Sequence, residues 1–175
     1  MIEVRLCDAA QVRPLQQSVL RPDGPLPEDR PPPAGARHIG AFDRGHAVGA
    51  ATLVASPWPG PGRVPAPTWQ LRAMAVDPGR RGEGIGRRVL EFAEATARGN
   101  GVATLWAGAR LEALGFYTAA GWSVVGATWI KPGVGPHRWV TQPVGAAPSD
   151  AASRAPGRRT RPAGSRGPGS TGPSS

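Results

Sequence analysis

The sequence predicts a fold of the α/β class: one mixed (α+β) twisted sheet with helices on both faces. Three observations carry this. Apolar residues recur at a period of two in segments spread between residues 2 and 142, helical periodicity intervenes over 87–98, and hairpin-linked strands precede a strand–helix–strand passage. Hairpins pair strands antiparallel whereas a helical crossover returns them parallel, so a single sheet holding both is mixed.

Ile2, Val4 and Leu6 alternate with Glu3 and Arg5, which suits a half-buried strand. Asp8 followed by Gln11 resembles a capping box opening a helix over about 9–20. Val12, Leu15, Val19 and Leu20 would form its buried face, and Pro14 is expected to kink or shorten it. Six prolines between 21 and 36 exclude regular structure and predict a long extended loop of the kind that often covers a site. Residues 38–42 and 47–55 follow as strands joined around Asp43-Arg44-Gly45, a hairpin turn signal. A second proline-rich loop occupies 56–67. Residues 69–76 then read as a strand, 87–98 as a helix with Val89, Leu90, Ala93 and Ala97 on one face, and 102–106 as a strand. Gly99-Asn100-Gly101 ends the helix. A further helix over 111–119 and closing strands over 122–130 and 138–142 complete the order.

Length and composition bound the rest. A chain of 175 residues holds one domain with little left over. Residues 146–175 contain Gly, Pro, Ser, Ala, Arg, Thr and a single Asp, without one Val, Ile, Leu or aromatic residue. Such a segment buries too little apolar surface to offset the entropy of ordering, so the expected domain is 1–145 and 146–175 a disordered, Arg/Gly/Pro/Ser/Ala-rich tail. Five Arg against one Asp in that tail supply nearly half of the formal net charge of +9. Lone Cys7 has no partner for a disulfide or a thiolate metal site, and Met1-Ile2-Glu3 does not open a signal peptide. With no apolar run of membrane-spanning length, a cytoplasmic protein without membrane association is expected. No cluster of His, Cys and acids stands at metal-ligand spacing, so no metal is expected.

The chemistry concentrates in residues 76–90, Val-Asp-Pro-Gly-Arg-Arg-Gly-Glu-Gly-Ile-Gly-Arg-Arg-Val-Leu, where a strand ends in a glycine-alternating loop that opens directly into a helix. Residues without a Cβ let the backbone approach a ligand, N–H groups converge on an anion, and the helix N-terminus adds about half a positive charge. Arg81, Arg87 and Arg88 add formal charge there. A dinucleotide fingerprint fails because Arg87 stands where its third glycine belongs, and a nucleoside-triphosphate loop fails because Gly84 is followed by Ile85-Gly86 rather than Gly-Lys-Ser/Thr.

What fits is Arg81-x-x-Gly84-x-Gly86, and with it the sequence resembles the GCN5-related N-acetyltransferase (GNAT) family. The preceding Leu71-Arg72-Ala73-Met74-Ala75-Val76-Asp77-Pro78 is similar to that family as well. So is the block over 109–122, in which Ala113, Phe116-Tyr117 and Gly121-Trp122 follow its Ala-x-x-Phe-Tyr-x-x-x-Gly-Phe pattern, with Trp122 in the last aromatic place. The close resemblance covers about 69–122 and leaves 21–36 and the tail unsupported. It implies the acyl-CoA N-acyltransferase fold and transfer of an acetyl group from acetyl-CoA to a primary amine of a small molecule or protein, by direct attack in a ternary complex. It further implies that Arg81, Gly82, Gly84, Ile85, Gly86 and Arg87 hold the pyrophosphate. Met74, Ala75 and Val76 would offer backbone groups to the pantetheine amides like an added strand, Met74 serving as core as well. Tyr117, the chain's only tyrosine, would be the general acid that protonates the leaving thiolate.

The base is less marked. The strand over 69–76 offers Gln70 and Arg72 with no acid, while His137 is of the residue type whose pKa suits the task and stands equally well as a turn histidine bonded to backbone. His38 is a lesser candidate. If two of Arg21, Arg72 and Arg110 face the acceptor cavity, an acidic acceptor is favoured over a polycationic aminoglycoside. A nucleic-acid-binding protein acting through the basic tail and a non-catalytic acyl-CoA sensor are the rival readings, the former weakened because no aromatic residue interleaves with the tail arginines. A homodimer is compatible with all three.

Overall fold

The computed structural model describes residues 1–24 and 34–145. The tail over 146–175 and the centre of the first proline-rich loop lie outside the described residues.

Seven strands form one sheet: β1 (Ile2–Cys7), β2 (Arg37–Asp43), β3 (His46–Ala55), β4 (Thr68–Val76), β5 (Thr104–Arg110), β6 (Ser123–Lys131) and β7 (Gly135–Pro143). Helices α1 (Ala9–Leu20), α2 (Ile85–Gly99) and α3 (Leu114–Ala119) complete the fold, with 3₁₀ turns at Pro78–Arg80 and Leu111–Ala113. The spatial order is β1-β2-β3-β4-β5-β7-β6. All neighbours pair antiparallel except β4 and β5, which run parallel because α2 carries the chain between them. The expected element order is what the chain adopts.

Alternation along each strand divides the core between two faces. Ile39, Ala41, Ala51, Leu53, Leu71, Leu105, Ala107 and Ala109 turn to one side and pack with Ile85, Val89, Leu90, Ala93 and Ala97 of α2. Val12 of α1 packs with Phe42 and Ala50 on the other side. Gly49 permits the close approach of α2, since a Cβ there would stand 2.7 Å from Ile85 Cγ2. The β2–β3 hairpin turns at Arg44 and Gly45, both at positive φ.

Helix α1 departs from expectation in two respects. Pro14 lies inside it, on its exposed side, without shortening it, so the carbonyl that proline's missing N–H leaves free is near the solvent face. Gln11 Oε1 accepts from the Asp8 N–H at 3.2 Å, as a capping box requires. The buried residues of α1 are Val12 and Gln16, so a polar side chain holds a place that periodicity assigned to leucines and valines.

Candidate active site

Strands β4 and β5 share only the register pairs Thr68↔Thr104, Trp69↔Leu105 and Gln70↔Trp106. Beyond these they part, although β4 continues to Val76 and β5 to Arg110. The sheet is therefore split toward the C-terminal ends of its two central strands, the usual place for a ligand in an open parallel arrangement. Beyond Gln70 the edge of β4 that faces β5 has no strand partner.

A bulge shapes the same stretch. Ala50 pairs with Ala75 but Thr52 with Arg72, so β4 holds one residue more than β3, and Ala73 sits at φ 51°. Its carbonyl accepts from Gln16 Nε2 at 2.9 Å, and the same nitrogen lies 3.3 Å from Thr52 Oγ1. Thr52 Oγ1 in turn stands 3.1 Å from His38 Nδ1. A buried polar chain thus ties α1 to the bulge, and burial holds His38 below the ordinary histidine value despite the opposing field of Asp8.

Val76 leads into the glycine loop. Gly82 and Gly84 adopt φ of 85° and 73°, and a Cβ at either would meet nothing within 4 Å, so their backbone lies open. The first N–H groups of α2, from Ile85 through Arg87, have no partner inside the helix. Gly86 is glycine for another reason: a Cβ there would stand 3.1 Å from Phe116 Cε2 and 3.4 Å from Val76 Cγ2, so it lets α2, α3 and β4 meet. Arg81 is exposed, and Arg87 pairs with Glu91 at 2.9 Å. Arg88 does not serve the loop, because its Nη2 donates to the Ile2 carbonyl at 2.7 Å. Arg80, which sequence reasoning missed, braces the loop: it grips both oxygens of Glu83 at 2.7 and 2.8 Å and reaches Asp43 Oδ2 at 3.0 Å. The Arg80 guanidinium holds both carboxyls below their usual range. It thereby neutralises an acid that would otherwise repel an anion. The spacing of Arg80 and Glu83 was the available signal.

Tyr117 lies buried on α3 with its ring 5.2 Å from those of Phe116 and Trp122. Burial pushes its phenol well above 10, so the hydroxyl keeps its proton at neutral pH. Trp122 is anchored to α2 by a 2.8 Å bond from Nε1 to Glu94. Tyr117 and the glycine loop accordingly stand on the α2 side of the split.

The other side is built differently. Thr52 is bonded to α1, so its partner Arg72 points to the α1 face. On β5 the residues alternating with the core are Trp106, Gly108 and Arg110, and their β7 partners are Thr141, Trp139 and His137. Trp129 of β6 stands opposite His137 and stacks on Trp139 at 4.4 Å between centroids. Gly108 makes room for it, since a Cβ would stand 3.1 Å from Trp129 Cζ2. Trp58 of the second proline-rich loop closes on Trp106 and Trp139, and Trp106 Nε1 donates to the Ser56 carbonyl at 3.1 Å. His137 is buried beside Trp129 with Nδ1 2.8 Å from the Gly135 carbonyl, which makes Nδ1 the donor and leaves Nε2 as the basic nitrogen of the neutral ring.

A split mixed sheet with a bulge on one lip and a glycine loop opening a helix below it matches known proteins. Residues 8–122 match the model of the acetyltransferase (GNAT) family. The chain belongs to the GNAT family. It is thus an acetyl-CoA-dependent acyltransferase. The uncharacterized N-acetyltransferase YitI of Bacillus subtilis (strain 168) is 29% identical over 142 residues, covering 78% of this chain and 93% of YitI. The crystal structure of the ribosomal-protein-S18-alanine N-acetyltransferase of Escherichia coli aligns with a TM-score of 0.65 at 18% identity, over 86% of this chain and 98% of that one. An aminoglycoside 6′-N-acetyltransferase complexed with coenzyme A gives 0.63 at 16% identity, over 83% and 99%. These two likenesses establish the shared GNAT fold. No helix among the described residues is long and apolar enough to cross a membrane.

Proposed function

We propose that this GNAT protein transfers acetyl from acetyl-CoA to a primary amine by direct attack in a ternary complex. The observation that carries the reading is the β4–β5 split flanked by the open backbone of Gly82 and Gly84. The N–H groups of Gly82, Gly84, Ile85, Gly86 and Arg87 hold the pyrophosphate, with Arg81 and Arg87 adding charge at the rim. Met74, Ala75 and Val76 pair through backbone with the pantetheine arm, as an added strand would. This directs the thioester toward the bulge at Ala73.

The amine nitrogen attacks the acetyl carbonyl carbon from the α1 face. As the C–N bond forms and the C–S bond breaks, the electron pair leaves on sulfur and the Tyr117 hydroxyl supplies its proton. The proton lost by the amine passes to His137 Nε2, directly or through water. The protein's own contribution is proximity, a backbone environment that polarises the carbonyl, and two positioned proton carriers. No step calls for a metal.

Unfolding of the full chain with and without acetyl-CoA tests the donor, and release of thiol on an amine panel tests the transfer. Ligand at 100 times its Kd stabilises by about 2.7 kcal/mol, roughly 5–11 °C for a domain of this size. Absence of any shift at saturating acetyl-CoA overturns the reading.

A further inference from the structure

Four cations from four elements meet at the mouth of the split on the α1 face. Arg110 at the end of β5 reaches back to the last turn of α1, its Nη2 standing 3.4 Å from the Leu20 carbonyl, which brings it beside Arg21. Arg72 projects from β4 on the same face, one residue before the bulge. Lys131 ends β6 where the chain turns into β7, and His137, the cross-strand partner of Arg110, follows a few residues later. Burial and the fields of Arg72, Arg21 and Arg110 together hold the Lys131 ammonium below the ordinary lysine range, so these charges sense one another. Among the described residues the only acid paired with any of the four is Glu112, 4.0 Å from Arg110 and itself exposed.

Gathering like charges costs stability, and four cations with one exposed acid paired to them among the described residues leave an excess of positive potential at one spot. Here that spot adjoins the bulge toward which the thioester points. His137, the cross-strand partner of Arg110, lies against it, and Trp129 and Trp139 extend it as an apolar wall.

We infer that the acceptor is a small amine bearing an anionic group, carboxylate or phosphate, which Arg21, Arg72, Arg110 and Lys131 bind at the open end of the β4–β5 split. This rests on the acetyl-transfer reading above. The anionic group anchors the acceptor so that its amine faces the bulge. Guanidinium forks suit either oxyanion, bidentately.

The test uses the full chain with coenzyme A bound and pairs of amines matched with and without the anionic group: phenylalanine against phenethylamine for carboxylate, and phosphoethanolamine against ethanolamine for phosphate. Binding is read by calorimetry and transfer from acetyl-CoA by thiol release. In at least one pair the member bearing the anionic group should bind about 10- to 100-fold tighter than its counterpart without it, the range for hydrogen bonds to charged groups. Which pair responds distinguishes the oxyanions. Arg72→Gln/Lys131→Gln should lose that preference while keeping the wild-type shift in unfolding temperature with acetyl-CoA, and Arg72→Lys/Lys131→Arg should retain part of it. Equal binding within both pairs, or preference for the member without the anionic group, overturns the inference even if transfer occurs. Loss of the acetyl-CoA shift in wild type would instead overturn the donor reading on which it rests.

Discussion

The two lips of the split are made of different materials. On the α2 side the working surface is backbone: glycines at 82 and 84 in conformations that side chains rarely adopt, the free N–H groups of a helix start, and the unpaired edge of β4. On the α1 side it is side chain: Arg72, Arg110, Lys131, His137, Trp129 and Trp139, drawn from four strands. A backbone surface is tied to the geometry of consecutive residues and leaves a motif. A side-chain surface is tied only to the sheet's register and can be rewritten residue by residue. The donor side should therefore fail abruptly when its backbone is altered, and the acceptor side by degrees.

The largest effect should come from Gly84→Glu, which places a side chain at φ 73° and a negative charge among the amides proposed to hold the pyrophosphate. The shift in unfolding temperature caused by acetyl-CoA should vanish, and a full shift would break the assignment of the backbone side. Next, Tyr117→Phe should lower kcat by about 10²-fold or more while acetyl-CoA binding persists. Unchanged turnover in single-turnover measurements would remove Tyr117 from catalysis without touching the fold.

Gln16→Ala sharpens the comparison, since Gln16 is an α1 side chain that holds the backbone of β4. Leaving the Ala73 carbonyl without its donor should cost about 1–3 kcal/mol of stability by denaturant unfolding. As a positioning residue, Gln16 should also affect kcat more than KM for acetyl-CoA; equal changes in both would reduce it to packing. The smallest effect is a pH dependence. His38 is held below its ordinary value of 6.5, so the unfolded chain binds its proton more readily than the folded one. The sign is that stability from this source is complete above about pH 6.5 and declines as pH falls through the lower folded value. The unfolding temperature should drop between pH 7.5 and 5.5, and His38→Gln should flatten that decline.

The same contrast explains what could be read from sequence. Strand and helix positions followed from periodicity, and Arg81-x-x-Gly84-x-Gly86 was legible because backbone chemistry constrains neighbours in the chain. The reason for Gly86 was not: contact with Phe116, thirty positions away, decides it. Gln16 carried no signal in the sequence, because its partners Thr52 and Ala73 lie 36 and 57 positions away. Lys131 lay in what read as a turn between closing strands, and only the placement of β7 between β5 and β6 shows where that turn goes. The arginines 21, 72 and 110 were visible singly, whereas their convergence depends on register. Pro14 does not shorten α1, because on the exposed face its missing N–H costs the helix a single bond.

The short seam at residues 68–70 and 104–106 has a mechanical meaning as well. Past this seam β4 and β5 lack cross-strand rungs, and the two halves of the sheet are joined there through the core packed under α2. A molecule threaded into the gap supplies the missing rungs and couples the halves. Amide hydrogen exchange along residues 71–76 would then slow in step with site occupancy, and the stiffness of the enzyme's centre would be lent to it by its own substrate.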